Sequence, residues 1–242
     1  MLDEAGWNHQ HNWWFIDTVP STICASVAWI GTPSSYSLSK SIRSYQQMLT
    51  HTYPSLLAPL SRQTTRTEKH RPSVTFIQRK HTRIWVNIEE CKQYVVDHFA
   101  TTSVSIMQVE DVSIEEQLRS FSSTDILVGI HGAGLSMMWM MASGSASIIE
   151  LDYINFYGFH AGFAEQLNIS YHKYTEYSEA NLNINWKAYE ASRNNGRQLS
   201  ESERTQIPKD SFYYKYVDVA IEFTAWKQVW NRTYSTYLQR NP

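Results

Sequence analysis

Two arginines, a histidine-led glycine turn and one glutamate are the residues of this sequence whose types and spacing could act on an anionic ligand: Arg79 and Arg83, His131-Gly132-Ala133-Gly134, and Glu150. Guanidinium groups bind phosphate oxygens in bidentate fashion. A glycine-rich turn lets a ligand approach the bare backbone, and a helix opening at about Leu135 would aim its first N–H groups at that turn, as an anion site requires. Glu150 follows an apolar run and could accept hydrogen bonds from ribose hydroxyls. Each residue also has a plainer reading. Arg79 could be half of a surface salt bridge, His131 a turn residue bonded only to its own backbone, and Glu150 a structural acid in need of a partner.

The spacing excludes several better-known sites. A dinucleotide fingerprint needs Gly-x-Gly-x-x-Gly, but His131 stands where the second glycine should be, two residues after Gly129. No Gly-Lys-Ser/Thr follows, so a Walker A loop is absent. There is no Asp-x-Asp to hold a divalent metal against a diphosphate; Glu150-Leu151-Asp152 is the nearest substitute. His9 and His11 lack a third ligand at useful spacing. Cys24 and Cys91 form no zinc pattern, though a single bridge between them is open. No metal or cofactor is expected.

The elements that must position these residues read as alternating strands and helices. Strands are expected at 74–78, 103–109, 125–130, 146–151 and 169–174. Helices are expected from Asn87, capped in a box with Glu90, to Phe99, from Ser113 to Phe121, and over 156–167. Such alternation favours an α/β fold, a Rossmann-like parallel sheet with flanking helices. In open sheets of this kind ligands bind at the carboxyl ends of strands, where Arg79, Arg83 and the glycine turn all fall. Before this region, 1–72 reads as an N-terminal segment and linker, with a strand over 23–30, a helix over 35–49 and a proline-marked connector. After it, 175–211 reads as a surface loop. Tyr216, Val219, Ala220, Phe223, Trp226, Trp230, Tyr234 and Tyr237 predict one face of a long packing helix. The second domain therefore spans 73–242.

A formal net charge of -2 and 42% hydrophobic content describe a globular chain with no general attraction for nucleic acid or an anionic membrane, so phosphate binding must be local. The uncharged stretch 126–149 is better explained by a buried α/β core than by a membrane span. Met1 opens no secretory signal pattern. The sequons Asn168-Ile169-Ser170 and Asn231-Arg232-Thr233 matter only in a secretory lumen.

TFIQRKHTRIWVN at 75–87, paired with STDILVGIHGAGLSMMWMMASGSASIIEL at 123–151, resembles the signature of glycosyltransferase family 61. The matching positions are Arg79, Arg83, Asn87, the Asp125 strand, the His131–Gly134 loop and the Glu150 strand. The resemblance implies the C-terminal, donor-binding half of a GT-B enzyme, inverting and metal-independent. It would transfer a sugar from a uridine diphosphate (UDP) donor to a protein or glycan acceptor in the endoplasmic reticulum or Golgi lumen. Segment 1–72 would be a remnant of the first Rossmann-like domain. By position, Arg79 and the loop would contact the diphosphate and Glu150 the ribose or sugar; no residue is marked as the base.

Overall fold

Segments that are apolar on both sides become the middle of a sheet. The computed structural model describes residues 71–153, 159–209 and 213–242. Strands β1 (Ser73–Gln78), β2 (Ser103–Gln108), β3 (Ile126–Ile130), β4 (Ser147–Tyr153) and β5 (Ser170–Glu176) pair in the order β2-β1-β3-β4-β5. Every pairing is parallel. β3 and β4 are buried at every residue, as strands covered on both faces must be. The edge strands β2 and β5 carry the polar positions.

Side chains alternate between two layers. Val74, Phe76, Ile126, Val128, Ile130, Ile149 and Leu151 face helices α1 (Ile88–His98) and α6 (Phe223–Arg240). Ile77, Leu127 and Ile148 face α2 (Ile114–Ser122), α3 (Phe159–Gln166) and a 3-10 helix over Ala133–Met140. Strand order and layers together make an α/β Rossmann-like arrangement. The order reverses between β1 and β3, which makes their carboxyl ends the topological switch point where open sheets bind ligands.

The terminal aromatic stripe is packing surface. Trp226, Trp230 and Tyr237 are fully buried, and the Trp226 ring meets Trp85 edge-on at a centroid distance of 5.5 Å and Phe76 at a tilt at 5.8 Å. The helix starts later than its periodicity suggests. Glu222 caps it by accepting from Thr224 and Ala225 N–H, at 2.8 and 2.6 Å. Tyr216 closes a 3-10 turn and Val219 lies in β7 (Val217–Val219), antiparallel to β6 (Leu182–Ile184). Apolar residues that pair as a strand and continue as a helix give one unbroken run.

The segment expected as a loop over 175–211 instead carries β6, α4 (Trp186–Arg193) and α5 (Glu201–Thr205). Asn185 caps α4, and Ser200 with Glu203 forms a capping box on α5. Ser113 caps α2 as expected, whereas Asn87 occupies the cap position of α1 without a capping bond. Its amide instead holds the backbone of Ile221, accepting from N–H at 2.9 Å and donating to the carbonyl at 2.9 Å, and accepts from Trp85 Nε1 at 3.1 Å. Among the described residues no helix is long and apolar enough to cross a membrane. The strand and helix expected before residue 50, the connector, His9, His11 and Cys24 lie outside the described residues. Cys91 is buried, and its burial pushes the thiol pKa up.

Candidate functional site: an arginine pair over a glycine loop

The loop after β1 is tied down before it reaches the site. Gln78, the last residue of β1, accepts from the N–H groups of Arg79 and Trp85 and donates to the Trp85 carbonyl, each at 3.0 Å. From the C-terminal segment, Asp218 accepts from Ile84 N–H at 2.8 Å, and Val219 exchanges backbone bonds with Ile84 and Val86. Between these anchors Arg83 takes a left-handed φ of 57°, a conformation non-glycine residues hold only where surrounding contacts enforce it.

That turn sends Arg83 across to the second loop, where its Nη1 donates to the His131 carbonyl at 2.8 Å. Arg79 arrives beside it. A Cβ placed on Gly132 would lie 2.6 Å from Arg79 Nη1 and 3.2 Å from Arg83 Nη1, so only a glycine leaves both guanidinium groups in place. Gly129 plays a similar part below, where a Cβ would press on Leu135 and Ile77 at 3.1 and 3.2 Å. Among the described residues neither guanidinium has a carboxylate within ion-pair distance, and the Nε of each is buried without a hydrogen bond. Burial, and then the Arg79 charge, hold the Arg83 pKa below its ordinary value. Two adjacent cations without a carboxylate partner among the described residues concentrate positive charge here, and each disfavours the charged form of the other.

The helix opened by the glycine loop is 3-10 rather than α, with Gly132 at the cap position. Leu135 N–H is used by the Gly132 carbonyl at 3.0 Å, and the first N–H groups ahead of it have no helical acceptor.

Glu150 lies one strand over and is enclosed. It is 1% exposed, and its carboxylate receives His131 Nδ1, His160 Nδ1 at 2.8 Å and the Tyr171 hydroxyl. Burial works to raise its pKa, but the bonds from His131, His160 and Tyr171 outweigh it and hold the carboxyl well below the usual range. An ionised carboxylate only accepts, so each imidazole turns an Nδ1–H toward it. His131 keeps 18% of its side-chain surface exposed against 3% for His160. His131, Glu150 and His160 have residue types and spacing that could hold a metal ion, with one ligand atom from each inside a 4.8 Å cluster. Here those atoms are spent on one another. Asp152, on the same strand face, is paired with Lys173 at 2.6 Å, so Glu150-Leu151-Asp152 is not an open diacid.

The structure thus brings Arg79, Arg83, His131 and Gly132 into contact and joins Glu150 to them through His131. Ala133, Gly134 and Leu135 form the helix start beneath. Sequence reasoning missed Gln78, His160, Tyr171 and Asp218, which meet the site from distant positions; only Gln78, next to Arg79, was within reach of local pattern. A separate open cavity of about 600 Å³, lined by Tyr174, Glu176, Tyr177 and Glu222 among others, lies at the carboxyl end of β5.

A profile of the family described as Glycosyltransferase 61 matches residues 11–149, and that stretch contains both arginines and the glycine loop. No curated protein matches the chain. Among solved structures the chain is similar to a mutant flavo di-iron protein from Thermotoga maritima at 10% identity and a TM-score of 0.33, over 74% of this chain and 50% of that one. The chain spans about half the length of that protein, and so distant a likeness carries no argument about the site. The family match covers more than half of the 242 residues, and this chain belongs to the glycosyltransferase 61 family.

Proposed function

We propose that the chain binds the diphosphate of a UDP-sugar at the β1/β3 switch point and transfers the sugar to a hydroxyl of a protein or glycan with inversion and without a metal ion. The observation that carries this reading is the Arg79–Arg83 pair over Gly132, two cations with no carboxylate in reach among the described residues. Charge that a metal would otherwise supply is already present as guanidinium. The N–H groups opening the 3-10 helix, at Ala133 and Gly134, add donors on the same side. Glu150 takes part through His131, whose ring it holds. Within the family the signature is most like that of EGF-domain-specific O-linked N-acetylglucosamine transferases, so N-acetylglucosamine or xylose is the donor sugar to try first. On the same reading the chain is the donor-binding half of a GT-B architecture and works in the endoplasmic reticulum or Golgi lumen. Both sequon asparagines, Asn168 and Asn231, are exposed.

Titration calorimetry with UDP tests this directly. Saturable binding that Arg79→Ala abolishes is expected, with transfer from UDP-N-acetylglucosamine or UDP-xylose that survives a chelator. Binding without transfer would identify a non-catalytic nucleotide-binding module, and absence of UDP binding would remove the donor site altogether.

A further inference from the structure

The cavity at the carboxyl end of β5 is walled by side chains that hold one another, and its lining differs in kind from the arginine pair. Glu176 is 3% exposed, and its carboxylate accepts from the Tyr174 hydroxyl and Ser178 N–H, each at 2.8 Å, and from Glu222 N–H at 3.1 Å. These three bonds join β5, the turn after it and the start of α6 into one wall. Glu222 is committed to its two capping bonds, and Lys173 is paired with Asp152. The charges of the lining are therefore spent on the frame. The rest of it is uncharged: the hydroxyls of Thr175 and Ser178, the amide of Asn181 and the ring of Tyr177. None of these four side chains holds a hydrogen bond among the described residues.

That chemistry selects a ligand. Two carboxylates in the wall repel an anion. An apolar ligand would leave hydroxyls and an amide without partners. A neutral molecule with many hydroxyls meets both conditions, because each hydroxyl donates and accepts. Tyr177 is 75% exposed, the most of any large hydrophobic side chain among the described residues. It offers an aromatic face on which the C–H face of a sugar ring packs, with a phenol at its edge. The cavity volume of about 600 Å³ lies within the range of small-ligand sites.

We propose that this cavity binds a neutral saccharide, the glycan portion of the acceptor; its acceptor role rests on the UDP-sugar reading above. On the carboxyl edge of the sheet, β5 stands three strands from β1 and two from β3, about 14 and 10 Å at the usual strand spacing. A donor sugar is bonded directly to the diphosphate and stays beside the arginines. A second saccharide held two strands away can extend a hydroxyl toward that sugar while its other rings stay in the cavity.

Saturation-transfer NMR on the full chain tests this with the methyl glycosides of glucose, galactose, mannose, xylose and N-acetylglucosamine, and with methyl glucuronide as the anionic control. Binding of at least one neutral glycoside is expected, undiminished by saturating UDP, with none for the glucuronide. Tyr177→Ala and Asn181→Ala should each raise that Kd roughly tenfold, with the Kd for UDP and the circular dichroism unchanged. The bound glycoside should accelerate UDP release from UDP-N-acetylglucosamine or UDP-xylose, and Tyr177→Ala should raise KM for the glycoside but not for the donor. Absence of neutral glycoside binding overturns the proposal, as does equal binding of the glucuronide. Displacement of the glycoside by UDP, or a weaker hold on UDP in Tyr177→Ala, assigns the cavity to the donor and overturns it too. Binding that leaves UDP release unchanged overturns the acceptor role. Glycoside binding by a chain that binds no UDP removes the donor-site reading, and the acceptor role with it, while supporting the saccharide site itself.

Discussion

Arg79→Met should stabilise the unliganded protein while weakening its hold on UDP. Methionine keeps the length and apolar stem of the side chain and removes the charge. The Nη1 atoms of Arg79 and Arg83 lie 2.6 and 3.2 Å from one point above Gly132, so they are no farther apart than about 5.8 Å, the two distances end to end. Two unit charges at that separation repel by roughly 3 kcal/mol at an effective dielectric of 20. Both side chains are partly exposed, and solvent screening reduces the expected gain to about 1 kcal/mol. For a chain of this size that is a rise in Tm of about 2–4 °C. With UDP the sign reverses: loss of a charge-assisted contact worth about 1.5–3 kcal/mol raises Kd roughly 10- to 100-fold. Thermal unfolding with and without UDP, together with calorimetry, reads both quantities from one preparation. An Arg79→Met protein that melts below wild type without ligand would refute the idea that the pair is held against its own repulsion, because arginine would then be paired inside the protein.

The same contacts predict three further outcomes. Asn87→Ala leaves the Ile221 N–H and carbonyl and the Trp85 indole N–H without their partner, and should cost about 2–4 kcal/mol in a denaturant titration, well beyond the roughly 1 kcal/mol of a lost helix cap. Gly132→Ala meets the end of the Arg79 side chain, so it should displace Arg79 and raise the Kd for UDP roughly tenfold, one charge-assisted contact. The Glu150 carboxyl is held below its ordinary value of 4.5, so it contributes stability that is complete above that value and is lost as pH falls toward the folded-state pKa. Denaturant titrations at descending pH should show this loss in wild type, and Glu150→Gln should be flatter below pH 4.5.

The sheet is legible in the sequence because its middle strands are buried on both faces. A run such as Ile126–Ile130 has no polar face to confuse with a loop, and the carboxyl ends are marked by the residues that stand there, Gln78-Arg79 on β1 and His131-Gly132 on β3. Local pattern alone therefore places the arginines and the glycine loop on one edge. Asn87 is misread because asparagine with glutamate three residues on is a capping pattern, and nothing local shows that Ile221 will arrive 134 residues later to claim its amide. Glu150 is legible as an acid in need of a partner but not as one with three, since His160 and Tyr171 come from a later helix and a later strand. In contrast, Ser200 to Glu203 holds a capping box in plain view within a segment whose polar composition reads as loop, and there local pattern outweighs composition.

Asn87 also shows how a residue of the signature can serve the site without touching it. Arg83 crosses to His131 only because its backbone is held at φ 57°, and the restraint on the carboxyl side of that turn comes from Asp218 and Val219. Those two residues lie just before Ile221, the segment that Asn87 grips. Trp226 then fixes the same segment into the core, donating its indole N–H to the Cys91 carbonyl at 3.2 Å on α1. The direction in which an arginine near the first strand points is thus set by the last helix, through a chain of hydrogen bonds rather than through sequence neighbours. A rigid frame of this kind is what two adjacent cations need: a looser loop would let Arg79 and Arg83 swing apart into solvent, and the proposed anion site would exist only after an anion had ordered it.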